Sequence, residues 1–300
     1  MTRRGWVLFA GMCLLWGVPY LLIKVAVRDL SPVSVVFLRT GIGAVLLLPI
    51  AAMRGQLRPL LGAWKWVLAY TATEVTVPWL LLTVAEQRLP SSLTGLLVAV
   101  VPLVGAVILL LTRTSDRLDV RRAIGLLVGF VGVAVLLGLD DLHGDLLSLV
   151  EMGVVVVGYA MGPVIIARKL GGVPATGVIA VSLALTAIIY APLGVGTMPS
   201  HLPSLPVLGA VLGLGVLCTA IAFLVFFGLI AEAGPTSAQI ITYVNPAVAL
   251  ALGVLVLGEA FTVADVIGFA LILAGLLVAT RARRRREQTP SPEPDLSESA

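Results

Sequence analysis

The sequence predicts an all-α integral membrane protein, with ten transmembrane helices arranged as two inverted five-helix repeats. Three observations carry this prediction. The 300-residue chain is 59% hydrophobic and 12% charged, with a mean hydropathy of +1.09, a balance foreign to soluble domains. Ten apolar runs, each near the ~20 residues that cross a bilayer, are joined by short loops. The chain also resembles itself at a separation of 144 residues. A β-barrel would show alternating segments of ~10 residues, and none is present.

The elements follow in order. The run 5–26 comes after Arg3-Arg4 and resembles a signal sequence. It is too long for a secretory apolar region and has no A-x-A site after it, so it is expected to stay as the first span. The second, 33–52, carries Arg39, and the third, 64–86, carries Glu74. The fourth, 91–112, contains Pro102 and leads through a basic loop into the fifth, 122–139. The sixth, 146–168, contains Pro163 and follows an acidic loop, Asp140 to Asp145. The remaining spans are 174–194, 205–231, 235–257 and 262–280. They divide the chain into a first repeat (1–139), a second repeat (140–280) and a basic tail (281–300) expected to be cytoplasmic and disordered. Cys13 and Cys218 lie far apart in apolar runs, so they read as small buried hydrophobes rather than a disulfide.

Placing the N-terminus inside puts sixteen Lys and Arg on that side, from Arg3 to the Arg281–Arg286 cluster. The outside loops then hold only Arg28 and Arg88. This bias predicts cytoplasmic N- and C-termini and an even number of spans in the cell membrane.

The repeat is explicit. Trp16 to Pro19 aligns with Ala160 to Pro163, and Ser92 to Pro102 with Thr236 to Pro246, each at 144 residues. After one gap, Leu118 to Gly125 aligns with Phe261 to Gly268 at 143. A five-helix unit is odd, so its second copy must insert upside down. That is a transporter architecture, with the substrate held near the bilayer midplane between the halves.

Glu74 is the most costly residue in this plan. A carboxylate at the bilayer centre costs roughly 2.5–3.5 kcal/mol on insertion scales, so it is expected to face protein or a wet cavity. Tyr70, Glu74 and Pro78 share one helix face, and Pro78 removes the helical donor of the Glu74 carbonyl. Glu74 is expected to contact substrate or a proton, or to make a structural hydrogen bond or ion pair, with Arg39 as a candidate partner. Lys24 is placed where it can snorkel outward, and Glu151 near a solvated outer end. Trp16, Tyr20, Tyr70, Trp79, Tyr159 and Tyr243 are either cavity-lining aromatics or packing residues. Gln239, Thr242 and Asn245 in the ninth helix are either a polar lining or interhelical hydrogen-bond partners. Pro19, Pro102, Pro163 and Pro246 recur in both halves and mark candidate hinges.

No nucleotide-binding loop, H-E-x-x-H or G-x-S-x-G motif is present, and neither His143 nor His201 has a second ligand in register. The chain is therefore not expected to be an enzyme, and no catalytic residue, metal, cofactor or nucleic-acid partner is expected. Its expected partners are a small-molecule substrate, the lipid bilayer and a coupling proton, with a homodimer left open.

The ten helices and the repeated motifs together resemble the drug/metabolite transporter superfamily, EamA type. The resemblance rests on Trp16-Gly17, Leu38-Arg39, Pro102, Asn245-Pro246 and L-G-E-x-x-T at Leu257 to Thr262. The first half departs from it, with Asp116 where the second has Glu259. The resemblance implies a secondary carrier that exports a small organic metabolite, amino acid or drug by alternating access. A flippase for a lipid-linked substrate is the alternative.

Overall fold

The computed structural model describes residues 1–112, 120–137, 146–234, 238 and 240–287. Ten apolar helical elements are present among them. Seven are long and apolar enough to cross a membrane and three are shorter. We number them α1 (Arg3–Gly17 continued by Pro19–Ala26), α2 (Pro32–Met53), α3 (Trp64–Tyr70, Thr71–Thr76 and Val77–Ala85), α4 (Ser91–Val98 and Val101–Thr112) and α5 (Val120–Leu137). The second half supplies α6 (Leu146–Lys169), α7 (Ala175–Gly196), α8 (Leu205–Leu212, Gly213–Ile221 and Ala222–Ala233), α9 (Ile241–Leu257) and α10 (Val263–Glu287).

Local chemistry sets several boundaries. Thr2 caps α1 by accepting the Gly5 N–H at 3.0 Å, and Ser31 caps α2 through Ser34 at 3.1 Å, with Pro32 at the first helical position. The helix is interrupted at Val18, before Pro19, where the backbone stays helical and the Val18 N–H still reaches Leu14, and again at Ala99-Val100, before Pro102. There the N–H groups of Ala99 and Val100 turn back to Leu96 and Leu97, a tighter step than α-helix. Helices α6 and α9 run unbroken through Pro163 and Pro246. Of the four candidate hinges only that at Pro102 follows a tighter step; the helix keeps its hydrogen bonds through Val18 before Pro19 and is continuous through Pro163 and Pro246. Helix α10 runs on through the basic cluster to Glu287, beyond the span end expected at 280. Its Arg and Ala residues are good helix formers.

Helix pairing follows the repeat. Helix α2 lies along α7, and α5 along α10. The second pair is tight: a methyl on Gly132 would meet the Gly268 carbonyl at 2.7 Å, so the backbones themselves touch. Glu259, just past α9, accepts the backbone N–H groups of Ser91 and Ser92 at 2.7 and 2.9 Å. The end of α9 therefore lies at the start of α4. The starts of α4 and α9, which match in the repeat, lie at opposite ends of the molecule, as inverted repeats require.

The same end is well packed. Tyr20, Ile23, Leu82, Leu97, Met152, Leu214 and Ala249, drawn from six helices of both halves, form one buried cluster there. Toward the other end a second buried cluster, with Leu47, Val67, Ile165, Ile179 and Phe223, joins α2, α3, α6, α7 and α8. Arg3–Gly17 of α1 packs on α8 and α9, while Val101–Thr112 of α4 packs on α6.

Candidate functional site

Two matching segments leave the α-helical register. Thr71–Thr76 in α3 and Gly213–Ile221 in α8 are π-helical, with one extra residue per turn. The repeat offset maps Glu74 onto Cys218, so these are the same place in the two halves. Such segments cost backbone energy and often mark functional sites. Sequence periodicity gave no sign of either. In α3 the Val77 N–H donates to Ala72, five residues back. In that register the carbonyl left without a donor by Pro78 is that of Thr73, not that of Glu74 as expected from an α-helix.

Each π segment is braced from the other half. On α7, Ser182, Thr186 and Tyr190 are four residues apart and share a face. The Thr71 hydroxyl meets Ser182 Oγ at 2.8 Å, the Thr76 and Thr186 hydroxyls meet at 2.7 Å, and the Tyr190 hydroxyl donates to the Thr76 carbonyl at 2.9 Å. On the opposite side, Arg39 of α2 donates from Nε to Thr219 Oγ1 in α8 at 3.0 Å.

Glu74 points to α6. A methyl on Gly162 would overlap the Glu74 carboxylate, and one on Gly158 would overlap the Thr73 carbonyl and meet the Pro78 ring at 2.9 Å. The two glycines, four residues apart, form a groove that admits the acid and the distorted backbone of α3. Glu74 Oε2 is buried without a hydrogen-bond partner. The structural ion pair considered between Glu74 and Arg39 is not formed. Among the described residues, Arg39 has no carboxylate within ion-pair distance.

Arg39 is 8% exposed, and its guanidinium carbon lies 3.7 Å from the centre of the Trp79 ring. A desolvated contact of this kind is worth about 2 kcal/mol. Tyr159 of α6 interacts electrostatically with both Arg39 and Glu74, and Tyr20 with Arg39. Tyr70 stands one turn before Glu74, where it is buried. The structure thus brings Glu74, Tyr70, Arg39, Trp79, Tyr20 and Tyr159 into one neighbourhood.

The other candidates surround this neighbourhood or lie away from it, and Trp16 packs against the same apolar cluster as Tyr70, Trp79 and Tyr159. Trp16 packs edge-on to Phe223 at 5.6 Å and lies 4.7 Å from Phe226, an aromatic cluster between α1 and α8. Asn245 abuts Gly17, and its side-chain oxygen is buried without a partner. Tyr243 packs beside the α4–α5–α10 cluster, and Thr242 sits in the first turn of α9. Gln239 lies outside the described residues, as do Asp116 and His143. Cys13 and Cys218 are free and buried.

Two charged residues depart from expectation, and a third was not among the candidates. Lys24 does not snorkel; it donates to the carbonyls of Glu86 and Leu89 at 2.7 and 2.8 Å, satisfying the exposed end of α3. Glu151 is not solvated; it is buried in an ion pair with Arg88, whose Nε also donates to Ser148. Glu86, absent from the sequence candidates, is wholly buried. Its position at the end of an apolar run reads as a surface residue, but it interacts with Lys24 and Tyr20 of α1, Arg39 of α2, Tyr159 of α6 and Glu259 beyond α9.

Comparison with known proteins places this arrangement. The model of the EamA-like transporter family matches residues 3–138 and again 149–281. An uncharacterized transporter of Bacillus subtilis, YvbV, is 26% identical over 293 residues, covering 95% of this chain and 94% of its own. The uncharacterized inner membrane transporter YedA of Escherichia coli K12 is 28% identical over 284 residues, covering 91% and 89%. A solved crystal structure shares the fold at a TM-score of 0.65, with 23% identity over 96% of this chain and all of its own.

Proposed function

This chain belongs to the EamA-like transporter family and is a multi-pass membrane transporter, and from that premise we propose that it exports a small amphoteric organic solute, of the amino-acid class, by alternating access. One observation carries the proposal. Among the described residues, the layer of the two π segments holds a guanidinium stacked on Trp79 without a carboxylate partner, and a carboxylate with an unpartnered oxygen, Glu74. A solute with its own acid and amine supplies both missing partners, and the rings of Tyr20, Tyr70 and Tyr159 suit an apolar body. A fully buried charge left without a partner costs several kcal/mol, which bound solute or a proton on Glu74 relieves.

The packed end, where Glu259 holds Ser91 and Ser92 and α9 meets α4, supports an inward-facing state. In this reading the N- and C-termini are cytoplasmic and the packed end is external, in keeping with the Lys and Arg distribution. The halves rock about the central layer, and the helix interruptions at Pro19 and Pro102 absorb the movement.

The test is a melting-shift screen of amino acids and related solutes on purified protein, followed by transport of the hits in proteoliposomes. Glu74→Gln is expected to insert and fold but to lose net transport. Full, pH-dependent transport by that variant overturns the role of Glu74. Transport of lipid-linked substrates with no response to soluble ones replaces the carrier by a flippase.

A further inference from the structure

Glu86 closes the last turn of α3, and it is 0% exposed. Neither of its carboxylate oxygens has a hydrogen-bond partner. The charged groups that face it are Lys24 on α1, Arg39 on α2 and Glu259 beyond α9, together with the phenols of Tyr20 on α1 and Tyr159 on α6. Arg88, two residues on, is taken up by Glu151 and Ser148 of α6.

The behaviour of Lys24 is informative. Its ammonium reaches the main-chain carbonyl of Glu86 at 2.7 Å and that of Leu89 at 2.8 Å. It lies at this residue and yet does not pair with its carboxylate. An ionised carboxylate there would take the ammonium, because a charge-assisted pair is far stronger than a bond to a carbonyl. Arg39 is likewise turned away, onto Thr219 and Trp79. The arrangement is that of a neutral acid. Leaving a neutral carboxyl unbonded is much less costly than burying an unpaired anion.

The surroundings are those of a gate. Lys24 ties α1 to the end of α3, and five residues after Glu86 the Ser91 N–H meets Glu259. A recess of about 280 Å³ lined by Lys24, Val27, Arg28 and Gln87 opens to the surface beside it. Its lining includes Lys24, which bonds the Glu86 carbonyl, and Gln87, the next residue in the chain.

We propose that Glu86 is a proton-binding site linked to the gate formed by α1, α3, α4 and α9: with the proton bound the gate is closed, and with the proton released to water through the recess it opens. The released state carries a new negative charge. It draws the Lys24 ammonium off the Leu89 carbonyl and onto the carboxylate, which keeps α1 on the end of α3 but releases the turn that leads into α4. It also repels Glu259, weakening the cap that joins α9 to α4. This rests on the alternating-access reading above and adds a second acid to it, distinct from Glu74.

Two measurements test it. Infrared difference spectra of the Glu74→Gln protein are expected to keep a protonated-carboxyl band at neutral pH that disappears in alkali; absence of the band overturns the proposal without requiring any Glu86 variant to fold. For the gate, Ser91→Cys is built with Cys13→Ala and Cys218→Ala, since Ser91 is 0% exposed between α4 and α9. Its labelling by an impermeant maleimide, corrected for thiol ionisation with a free-thiol standard, is expected to rise with pH. The open fraction rises by up to about tenfold per pH unit, the limit for one linked proton. Adding Glu86→Gln is expected to abolish this rise. Labelling that appears on adding Glu259→Gln but shows no pH dependence with Glu86 intact overturns the proposal and leaves alternating access standing. A thiol that stays protected under every condition overturns both.

Discussion

The groove on α6 makes a quantitative prediction. A methyl on Gly162 enters the space of the Glu74 carboxylate, the far end of a rotatable side chain. A methyl on Gly158 enters the space of the Thr73 carbonyl and the Pro78 ring, both fixed by the backbone of α3. Overpacking a close contact costs about 1–3 kcal/mol when the neighbour cannot move. Gly158→Ala is expected near the top of that range, since α3 and α6 must separate. Gly162→Ala is expected near the bottom, since the acid can rotate away, yet it should reduce transport strongly because the acid is displaced. A double-mutant cycle separates the two. In a Glu74→Ala background Gly162→Ala should become almost free, giving a coupling of about 1 kcal/mol, while the cost of Gly158→Ala should be unchanged. The assays are thermal unfolding in one detergent and transport in proteoliposomes. An equal cost of Gly162→Ala with and without Glu74 would refute the placement of the acid against α6.

Three further outcomes are expected. Arg39→Lys keeps the charge but loses the planar stack on Trp79 and the Nε bond to Thr219, so solute binding measured by melting shift should fall by at least tenfold, since about 2 kcal/mol is at stake. Tyr190→Phe removes one bond to the π segment and should cost about 0.5–1.5 kcal/mol, with faster hydrogen exchange confined to residues 71–76 and their neighbours. Burial pushes the Glu259 carboxyl up, but the hydrogen bonds from Ser92 and Ser91 outweigh it and hold the group below its ordinary value. Its stabilising contribution is therefore full above the unfolded carboxylate value and is lost as pH falls through the lower folded value. Melting measured against pH should show this acid loss in the native protein, and it should be reduced in Glu259→Gln.

The sequence made the architecture legible because bilayer crossing and repetition are both written in composition and spacing. The apolar runs, the 144-residue offset and the odd repeat unit lead directly to ten helices in two inverted sets. Glu74 and Arg39 were legible for a related reason: a charge within an apolar run must be held by something. What held them was not. The π segments leave no trace in hydropathy, because one extra residue per turn shifts a face without changing which residues are apolar. The brace from α7 uses Ser182, Thr186 and Tyr190, whose spacing becomes meaningful only when α7 is known to face α3. Glu86 and Glu151 show the same limit from the other side. Both sit at the ends of apolar runs, where hydropathy assigns them to water, and in each case the packing of a neighbouring helix decides otherwise. Glu151 gained a partner in Arg88, whereas Glu86 gained none at its carboxylate. That difference separates an acid that joins helices from one placed to bind a proton, and no property of the α3 sequence alone distinguishes them.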